Sequence, residues 1–327
     1  MTRAELSSSV RASTRAARAA SLQTTTYELA FERREMAGEA NGRAQTLKRS
    51  RVVLFGDSLT QRSFDAPSGW GARVASASAR CCDCFNRGYG GYTTKWCAKI
   101  VREVMGEHVE AYEKCALVVI MLGTNDAARR VSDAARARER AYVSIAEYRE
   151  NMRVIAREAL SVARVVCVMT PPVVDDAQRV RFQIERYGEA WVGSEFEDRR
   201  DEIGDYAQAV RELVREMNDE GIERGRELIV VDVHEATREA KERGVELFCD
   251  GVHLNDAGQT LVFDTLWPCV SSIFDALNDL PDYPYGHELR DIDGLDVTEE
   301  AVWAKHEERW NVARQNGCDS TRSSGVA

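Results

Sequence analysis

The chain has 327 residues, of which 44% are hydrophobic and 30% are charged, and its formal net charge is −10. This composition is typical of a globular protein that is large enough to bury a core without disulfides or metal ions. The acidic balance argues against nucleic acid or an anionic membrane as the main partner. The longest apolar run, 116–122, is far shorter than the ~20 residues that a membrane span requires, so no span is expected.

Residues 1–26 contain four arginines, one glutamate and ten serines or threonines. An organelle transit peptide has this composition, and so does a disordered tail, so both interpretations stay open. We predict that 1–49 is an extension of one of these two kinds, that 50–303 is the folded domain and that 304–327 is a disordered tail. The nine cysteines are scattered and favour buried, reduced thiols over zinc ligands. They indicate an intracellular, cytoplasmic protein, or a plastid or mitochondrial one if 1–26 is a transit peptide.

From residue 51 onward, short β-branched runs alternate with longer amphipathic stretches. The predicted strands are 52–55, 82–86, 117–122, 164–169 and 228–233, and the predicted helices are 70–80, 94–113, 147–163, 201–224 and 257–278. Continuously apolar strands suit a parallel sheet that is covered on both faces. We therefore predict a three-layer α/β/α sandwich with a five-stranded parallel sheet in the flavodoxin-like order 2-1-3-4-5.

Two charged segments, 127–143 and 174–200, interrupt this alternation. Both follow the carboxyl end of a predicted strand, where α/β proteins bind ligands. We expect at least one of them to form the rim of a pocket, and a solvated surface helix is the alternative for each.

Small and polar residues follow the predicted strands at the points where they end. Strand one leads into GDS at 56–58, strand two into GYGGY at 88–92, strand three into GTND at 123–126, and DGVHLN at 250–255 precedes the last helix. Because the carboxyl ends of parallel strands meet at one edge of the sheet, we expect these groups to converge on a single site.

Four blocks in this order resemble the SGNH, or GDSL, hydrolases: GDSLTQ at 56–61, NRGYGGYTT at 86–94, GTND at 123–126 and DGVH at 250–253. The resemblance is closest to the isoamyl acetate-hydrolysing esterases and their plant relatives. RGYGGYTTKW, the proline pair after strand four, DGVHLNDAG and LPDYPYGHELRDID at 280–293 all resemble that branch. The resemblance covers about 50–300 and implies the SGNH hydrolase fold.

The resemblance implies a catalytic triad. Ser58 is the expected nucleophile, His253 the general base and Asp250 the acid that orients the imidazole. A serine hydroxyl attacks a carbonyl only when a base accepts its proton, and a carboxylate on the other ring nitrogen fixes the tautomer and stabilises the imidazolium. Two alternatives stay open for Ser58: it is only the N-cap of the helix that follows, or it is both N-cap and nucleophile.

The resemblance also implies an oxyanion hole formed by the backbone N–H groups of Ser58 and Gly91 and the side-chain amide of Asn125. Four further residues are expected to support these loops: Gly56, Asp57, Gly123 and Asp126. For Asp57 and Asp126, a metal-binding or glycosidase carboxylate pair is the alternative, and we favour hydrogen bonding that holds the loops.

Three residues carry open alternatives. His234 is the competing histidine, but it lacks an aspartate three residues earlier, and we expect it to pack structurally or to lie at the edge of the site. Trp70 and Tyr92 are candidates for lining the substrate pocket, and core packing is at least an equal alternative for each.

These observations predict a serine esterase that hydrolyses small acetyl or short-acyl esters through an acyl-enzyme, without a metal or a cofactor. The charged segments favour small or polar substrates. A carbohydrate deacetylase or a lysophospholipase with the same mechanism is the alternative. More distant is a non-catalytic flavodoxin-like protein in which 58–60 holds a phosphate, and this leaves Asp250 and His253 without a role.

Overall fold

The computed structural model describes residues 49–65, 67–106, 115–130, 142–192 and 198–278. The predicted N-terminal extension, the C-terminal tail and the motif at 280–293 lie outside these residues. Within them, no helix is both long and apolar enough to span a membrane.

The described residues fall into two units. The larger one consists of Arg51–Ala77 and Cys84–Cys269 and contains all of the candidate site residues. The smaller one includes Ser50, Ser78–Asp83 and the end of the last helix, and within it Arg49 Nη1 donates to Asp83 Oδ1 at 3.1 Å.

Five strands form the central sheet: β1 (Ser50–Gly56), β2 (Cys82–Gly88), β3 (Cys115–Met121), β5 (Ala163–Met169) and β7 (Glu227–Val231). Their order is β2-β1-β3-β5-β7, and the pairs from β1 to β7 are parallel. The predicted sheet order is therefore confirmed. Two short strands, β4 (Arg129–Arg130) and β6 (Asp198–Arg199), form a separate antiparallel pair.

Eight α-helices lie in the described residues: α1 (Ser58–Gln61), α2 (Trp70–Ala77), α3 (Thr94–Gly106), α4 (Ile145–Val162), α5 (Asp176–Tyr187), α6 (Ile203–Glu220), α7 (Val233–Glu242) and α8 (Asp256–Asn278). Short 3₁₀ turns follow α1 at Arg62–Phe64 and α5 at Glu189–Trp191.

Successive strand residues point to opposite sides of the sheet. Since the central strands are apolar throughout, both faces are buried, and helices cover each of them. On one face, Val53 and Phe55 of β1 belong to a core cluster that contains residues of α3, α4 and α6. The face of α4 predicted to be apolar, with Tyr148 at its centre, is buried in this cluster. On the other face, Leu54 lies so close to Gly71 of α2 that a Cβ on the glycine would be 2.7 Å from its Cδ1.

The prediction for the end of the fifth strand was wrong. The strand was predicted to continue to Val233, but the Asp232 side chain accepts a hydrogen bond from Glu235 N and begins α7 there. An aspartate that caps a helix satisfies one of its unpaired N–H groups, and this interaction outweighs the β propensity of Val233. Helix α5 was not among the predicted helices, although a surface helix was the alternative for 174–200; its surface is largely polar, and Gln183 is its one buried residue.

Candidate active site

The candidate nucleophile lies on a tight turn between β1 and α1. Gly56 ends the strand, and a Cβ on it would lie 2.4 Å from the carbonyl oxygen of Met121. Asp57 caps α1, with Oδ1 accepting from Leu59 N at 2.8 Å. The interpretation of Ser58 as the cap is therefore wrong. Since Asp57 accepts the free backbone N–H at the start of α1, the Ser58 hydroxyl is available for another partner.

That partner is His253, although it lies 195 residues further along the chain. Ser58 Oγ is 3.0 Å from His253 Nε2, and His253 Nδ1 is 2.7 Å from Asp250 Oδ2. The three side chains thus form a continuous hydrogen-bonded chain. A base in contact with a hydroxyl, and itself held by a third group, is the arrangement that activates a nucleophile.

The short loop around Asp250 holds its carboxylate in place. Oδ1 accepts the backbone N–H groups of Val252 at 3.0 Å and His253 at 2.8 Å, while Oδ2 faces the imidazole. Burial by itself would raise the pKa of Asp250, but the hydrogen bonds from the ring and backbone of His253 outweigh it and lower the pKa well below its usual range. Asp250 is therefore ionised at neutral pH and oriented toward the imidazole.

Helix α5 supports this loop from behind. Gly251 has a φ of +86°, and a Cβ on it would lie 2.4 Å from both Asp175 O and Arg179 N. Asp175 N donates to Gly251 O at 2.8 Å, and Arg179 Nη1 is 3.4 Å from Asp250 Oδ2. The 174–200 segment, one of two for which a pocket rim or a surface helix was expected, thus contributes a support for the Asp250–His253 loop.

The loops after β2 and β3 are joined to each other. Asn125 Nδ2 donates to Tyr92 O at 2.9 Å, and Tyr92 N donates to Tyr89 O at 3.1 Å in the turn that contains Gly91. Gly91 is exposed and has a φ of +78°, a conformation that glycine adopts readily. A primary amide has two N–H bonds, and the contact with Tyr92 uses one of those of Asn125.

Two residues that the sequence did not single out fix these loops. Gln61 Oε1 accepts the N–H of Gly90 at 2.7 Å and thereby orients the glycine turn against α1. Arg200, which is 5% exposed, donates from Nε to the Thr124 carbonyl oxygen at 2.9 Å. Gln61 ends the GDSLTQ block but had no role assigned to it, and Arg200 has no local signal, because the partners of both lie in distant segments. By contrast, Asp175 and Gln178 have the spacing of a capping pair, which would have indicated the start of α5.

Asp57 and Asp126 are both buried beneath the site. Asp126 accepts from the backbone N–H of Thr94 at 2.9 Å and from its hydroxyl, which joins the third loop to the start of α3. Burial raises the pKa of Asp57 to about 7 and that of Asp126 to about 6. Within the described residues, no group of three or more His, Cys, Asp or Glu side chains is arranged to hold a metal ion.

Gly123, at the start of the third loop, has a φ of +128°, and a Cβ on it would lie 3.0 Å from the Tyr148 hydroxyl. The loop can therefore turn sharply before Asn125 only because this position is a glycine.

The competing histidine does not join the hydrogen-bonded chain. His234 lies in the first turn of α7, where Nδ1 is 3.1 Å from Pro171 O, and burial lowers its pKa. Of the pocket candidates, Trp70 is completely buried and donates from its ring N–H to Leu59 O at 3.3 Å, which favours the core-packing alternative. Tyr92 is half-buried, with its ring centroid 5.3 Å from that of Tyr89.

The family model for GDSL-like Lipase/Acylhydrolase matches residues 52–266, which include Ser58, Asp250 and His253. The protein belongs to this family. The resemblance inferred from the four sequence blocks is thereby confirmed, and the protein is a carboxylic ester hydrolase.

Named members of the GDSL family are similar to this chain over most of their length. GDSL esterase/lipase At5g62930 of Arabidopsis thaliana is 31% identical over 218 residues, which are 66% of this chain and 83% of that protein. Isoamyl acetate-hydrolyzing esterase 1 homolog of Bos taurus is 28% identical over 243 residues, which are 73% of this chain and 88% of that protein.

Among solved structures, that of Axe2, an acetylxylan esterase from Geobacillus stearothermophilus, is 20% identical and has a TM-score of 0.48. The match covers 70% of this chain and 96% of that one.

Proposed function

We propose that this GDSL hydrolase cleaves small carboxylic esters, with an acetyl or other short acyl group, by means of a Ser58-His253-Asp250 triad. The observation that carries the proposal is the uninterrupted hydrogen-bonded chain, with 3.0 Å between Ser58 Oγ and His253 Nε2 and 2.7 Å between His253 Nδ1 and Asp250 Oδ2. No metal or cofactor takes part in the proposed mechanism.

In the first half of the reaction, Ser58 Oγ attacks the ester carbonyl carbon while its proton passes to His253 Nε2. The carbonyl electron pair moves to oxygen and forms a tetrahedral oxyanion. When this intermediate collapses, the bond to the alcohol oxygen breaks, the alcohol takes the proton from His253, and an acyl-Ser58 ester remains. A water molecule then gives a proton to His253 and attacks the acyl carbonyl carbon. When this second intermediate collapses, the bond to Ser58 Oγ breaks, Oγ takes the proton back from His253, and the acid is released.

The oxyanion is proposed to be stabilised by the backbone N–H groups of Ser58 and Gly91 and by the second amide N–H of Asn125. Support comes from the hydrogen bond that ties the Asn125 side chain to the glycine turn, because donors fixed in advance need no reorganisation during the reaction. One such donor is typically worth about 3 kcal/mol in the transition state.

The proposal of a short acyl group rests on the similarity to proteins named isoamyl acetate-hydrolyzing esterases and on the charged character of segments 127–143 and 174–200. The intracellular location likewise stays a proposal, which rests on the scattered cysteines.

The test combines a fluorophosphonate probe with hydrolysis of p-nitrophenyl esters that differ only in acyl length. The wild type is expected to be labelled and to prefer the acetyl and butyryl esters, whereas Ser58→Ala loses both labelling and turnover. Ser161→Ala, at an exposed serine of α4 that bonds Glu158 O, is the matched control and should behave as wild type.

Equal labelling of wild type and Ser58→Ala would contradict the proposed nucleophile. A preference for long acyl chains would instead support the lysophospholipase alternative.

A further inference from the structure

We propose that Arg179 of α5 is a positioning residue for Asp250, one that holds the carboxylate toward His253 and offsets part of its charge. The inference rests on the proposed triad and goes beyond it, because Arg179 lies in none of the four sequence blocks. It assigns a functional role to the segment at 174–200.

The guanidinium and the imidazole share one oxygen of the carboxylate. Arg179 Nη1 lies 3.4 Å from Asp250 Oδ2, the atom that also faces His253 Nδ1 at 2.7 Å. The side chains of Arg179 and Asp250 are only 19% and 10% exposed. An ion pair shielded to this degree is screened less by water and salt than a surface pair. The positive charge of the guanidinium therefore acts on the imidazole as well as on the carboxylate.

Backbone contacts hold Arg179 in register with the loop. Gly251 leaves no room for a Cβ against Arg179 N, and its carbonyl oxygen accepts the N–H of Asp175. Gln178, the residue before Arg179, donates from Nε2 to Phe248 O at 2.9 Å. The first turn of α5 and the loop at 248–251 therefore fit together at several points, and Arg179 reaches the carboxylate from this fixed base.

Other charged groups near the loop have partners of their own. Asp175 Oδ2 is 3.4 Å from Lys241 Nζ of α7, and Lys241 also donates to Val174 O. Arg62, in the 3₁₀ turn after α1, donates to Asp65 and lies 3.8 Å from Cys249 Sγ. Among the residues that the structure describes, Arg179 is the cation that contacts the Asp250 carboxylate.

Removal of the Arg179 charge has a defined consequence. The negative charge of Asp250 is then offset less, so the positively charged imidazolium of His253 becomes easier to form. The base is protonated at higher pH, and the acid limb of the pH profile of kcat/KM moves upward. A role in packing alone would lower activity or stability without moving this limb.

The experiment measures kcat/KM for p-nitrophenyl acetate against pH in the full-length wild type and in Arg179→Gln, Arg179→Met, Arg179→Lys and Arg186→Gln. Arg179→Gln and Arg179→Met, the two neutral variants, should shift the midpoint of the acid limb upward by about 0.5 pH unit or more. Arg179→Lys, which keeps the charge, should keep the wild-type midpoint. Arg186→Gln, at an exposed arginine of the same helix, should also leave the midpoint unchanged.

An unshifted acid limb in the neutral variants, or an equal shift in Arg179→Lys, would overturn the role of Arg179. Circular dichroism and thermal unfolding accompany each profile, and if neither neutral variant folds as wild type, the arginine is structural and the proposal is overturned. Fluorophosphonate labelling separates this failure from that of the triad. If labelling depends on Ser58 but the acid limb of the neutral variants is unshifted, only the role of Arg179 is overturned. If the wild type is not labelled, both the triad and the role of Arg179 are overturned.

Discussion

His253 and Asp250, three residues apart, contact each other through both side chain and backbone. One carboxylate oxygen lies 2.7 Å from Nδ1 of the imidazole, and the other accepts the His253 backbone N–H at 2.8 Å. The two contacts fix the direction of the imidazole and leave Nε2 facing Ser58 Oγ. Such rigidity places the base before substrate arrives, which is the condition for efficient proton transfer.

Substitution of the two histidines should distinguish base from structural residue. His253→Ala is expected to lower kcat/KM by about 10³-fold or more, because Ser58 loses the group that accepts its proton. His234→Ala should retain most of the activity, since its ring bonds Pro171 O instead. Kinetics with p-nitrophenyl acetate check the pair, and the reverse ranking would mean that His234 is the base.

Removal of the Asn125 amide should act on the transition state. Asn125→Ala is expected to lower kcat by about 10²-fold with little change in KM, because the oxyanion exists only after attack on the carbonyl. Steady-state kinetics separate the two constants. A large rise in KM at unchanged kcat would show that Asn125 binds the ground state instead.

Gly251 should be intolerant of a side chain. In Gly251→Ala, the Cβ meets Asp175 O and Arg179 N at 2.4 Å, and the residue keeps a φ of +86°. We therefore expect a loss of more than about 2 kcal/mol of unfolding free energy, with reduced activity.

Gly244→Ala is the matched control for that substitution. It has a similar φ of +81° but no atom within 4 Å of the added Cβ, and it should cost only about 1 kcal/mol. Urea unfolding of the two variants compares them. Equal losses would show that backbone strain, and not the contact with α5, decides the requirement for glycine.

The buried carboxyl of Asp57 should make stability depend on pH. Burial raises its pKa from 3.8 to about 7, so the folded state favours the protonated form. Its contribution to stability is present in full below about pH 4 and is lost as the pH rises through about 7.

Asp57→Asn should therefore reduce the loss of unfolding free energy between pH 5 and pH 7.5 by on the order of 2 kcal/mol, while asparagine still caps α1. Urea unfolding at the two pH values measures the difference, with Asp219→Asn at an exposed position of α6 as control. An unchanged pH dependence in Asp57→Asn would show that Asp57 is ionised in the folded state at pH 5.

Several parts of the fold and of the site were predictable from short-range patterns. The apolar runs at β1, β3 and β5 predicted buried parallel strands, and their order in the sheet is as predicted. The polar blocks at 56–58, 88–92 and 123–126 directly follow strands of the sheet, and the carboxyl ends of parallel strands meet at one edge. Ser58, Asp250 and His253 were identifiable as a group from the resemblance to the SGNH hydrolases, because the DGVH block at 250–253 precedes the last helix and does not directly follow a strand.

Other features depended on contacts between distant segments. A polar helix such as α5 has little periodic signal, and its role as a support for the Asp250–His253 loop depends on the contact between Asp175 and Gly251, 76 residues later. Similarly, Asp57 and Ser58 are adjacent, and both residue types commonly cap helices. Which of them caps α1 depends on the direction of its side chain, and the sequence does not contain that information.

The sequence by itself determined the family, the strand order and the residues of the candidate triad, because these follow from local hydrophobic runs and from four short sequence blocks. Only the tertiary structure decided that Asp57 caps α1, that Trp70 is buried, and that Arg179 and Arg200 contact the site loops. The physical reason is that hydrophobic periodicity reports burial along one segment. A hydrogen bond or an ion pair across 71 or 76 residues forms only when the packed sheet and helices bring both partners together.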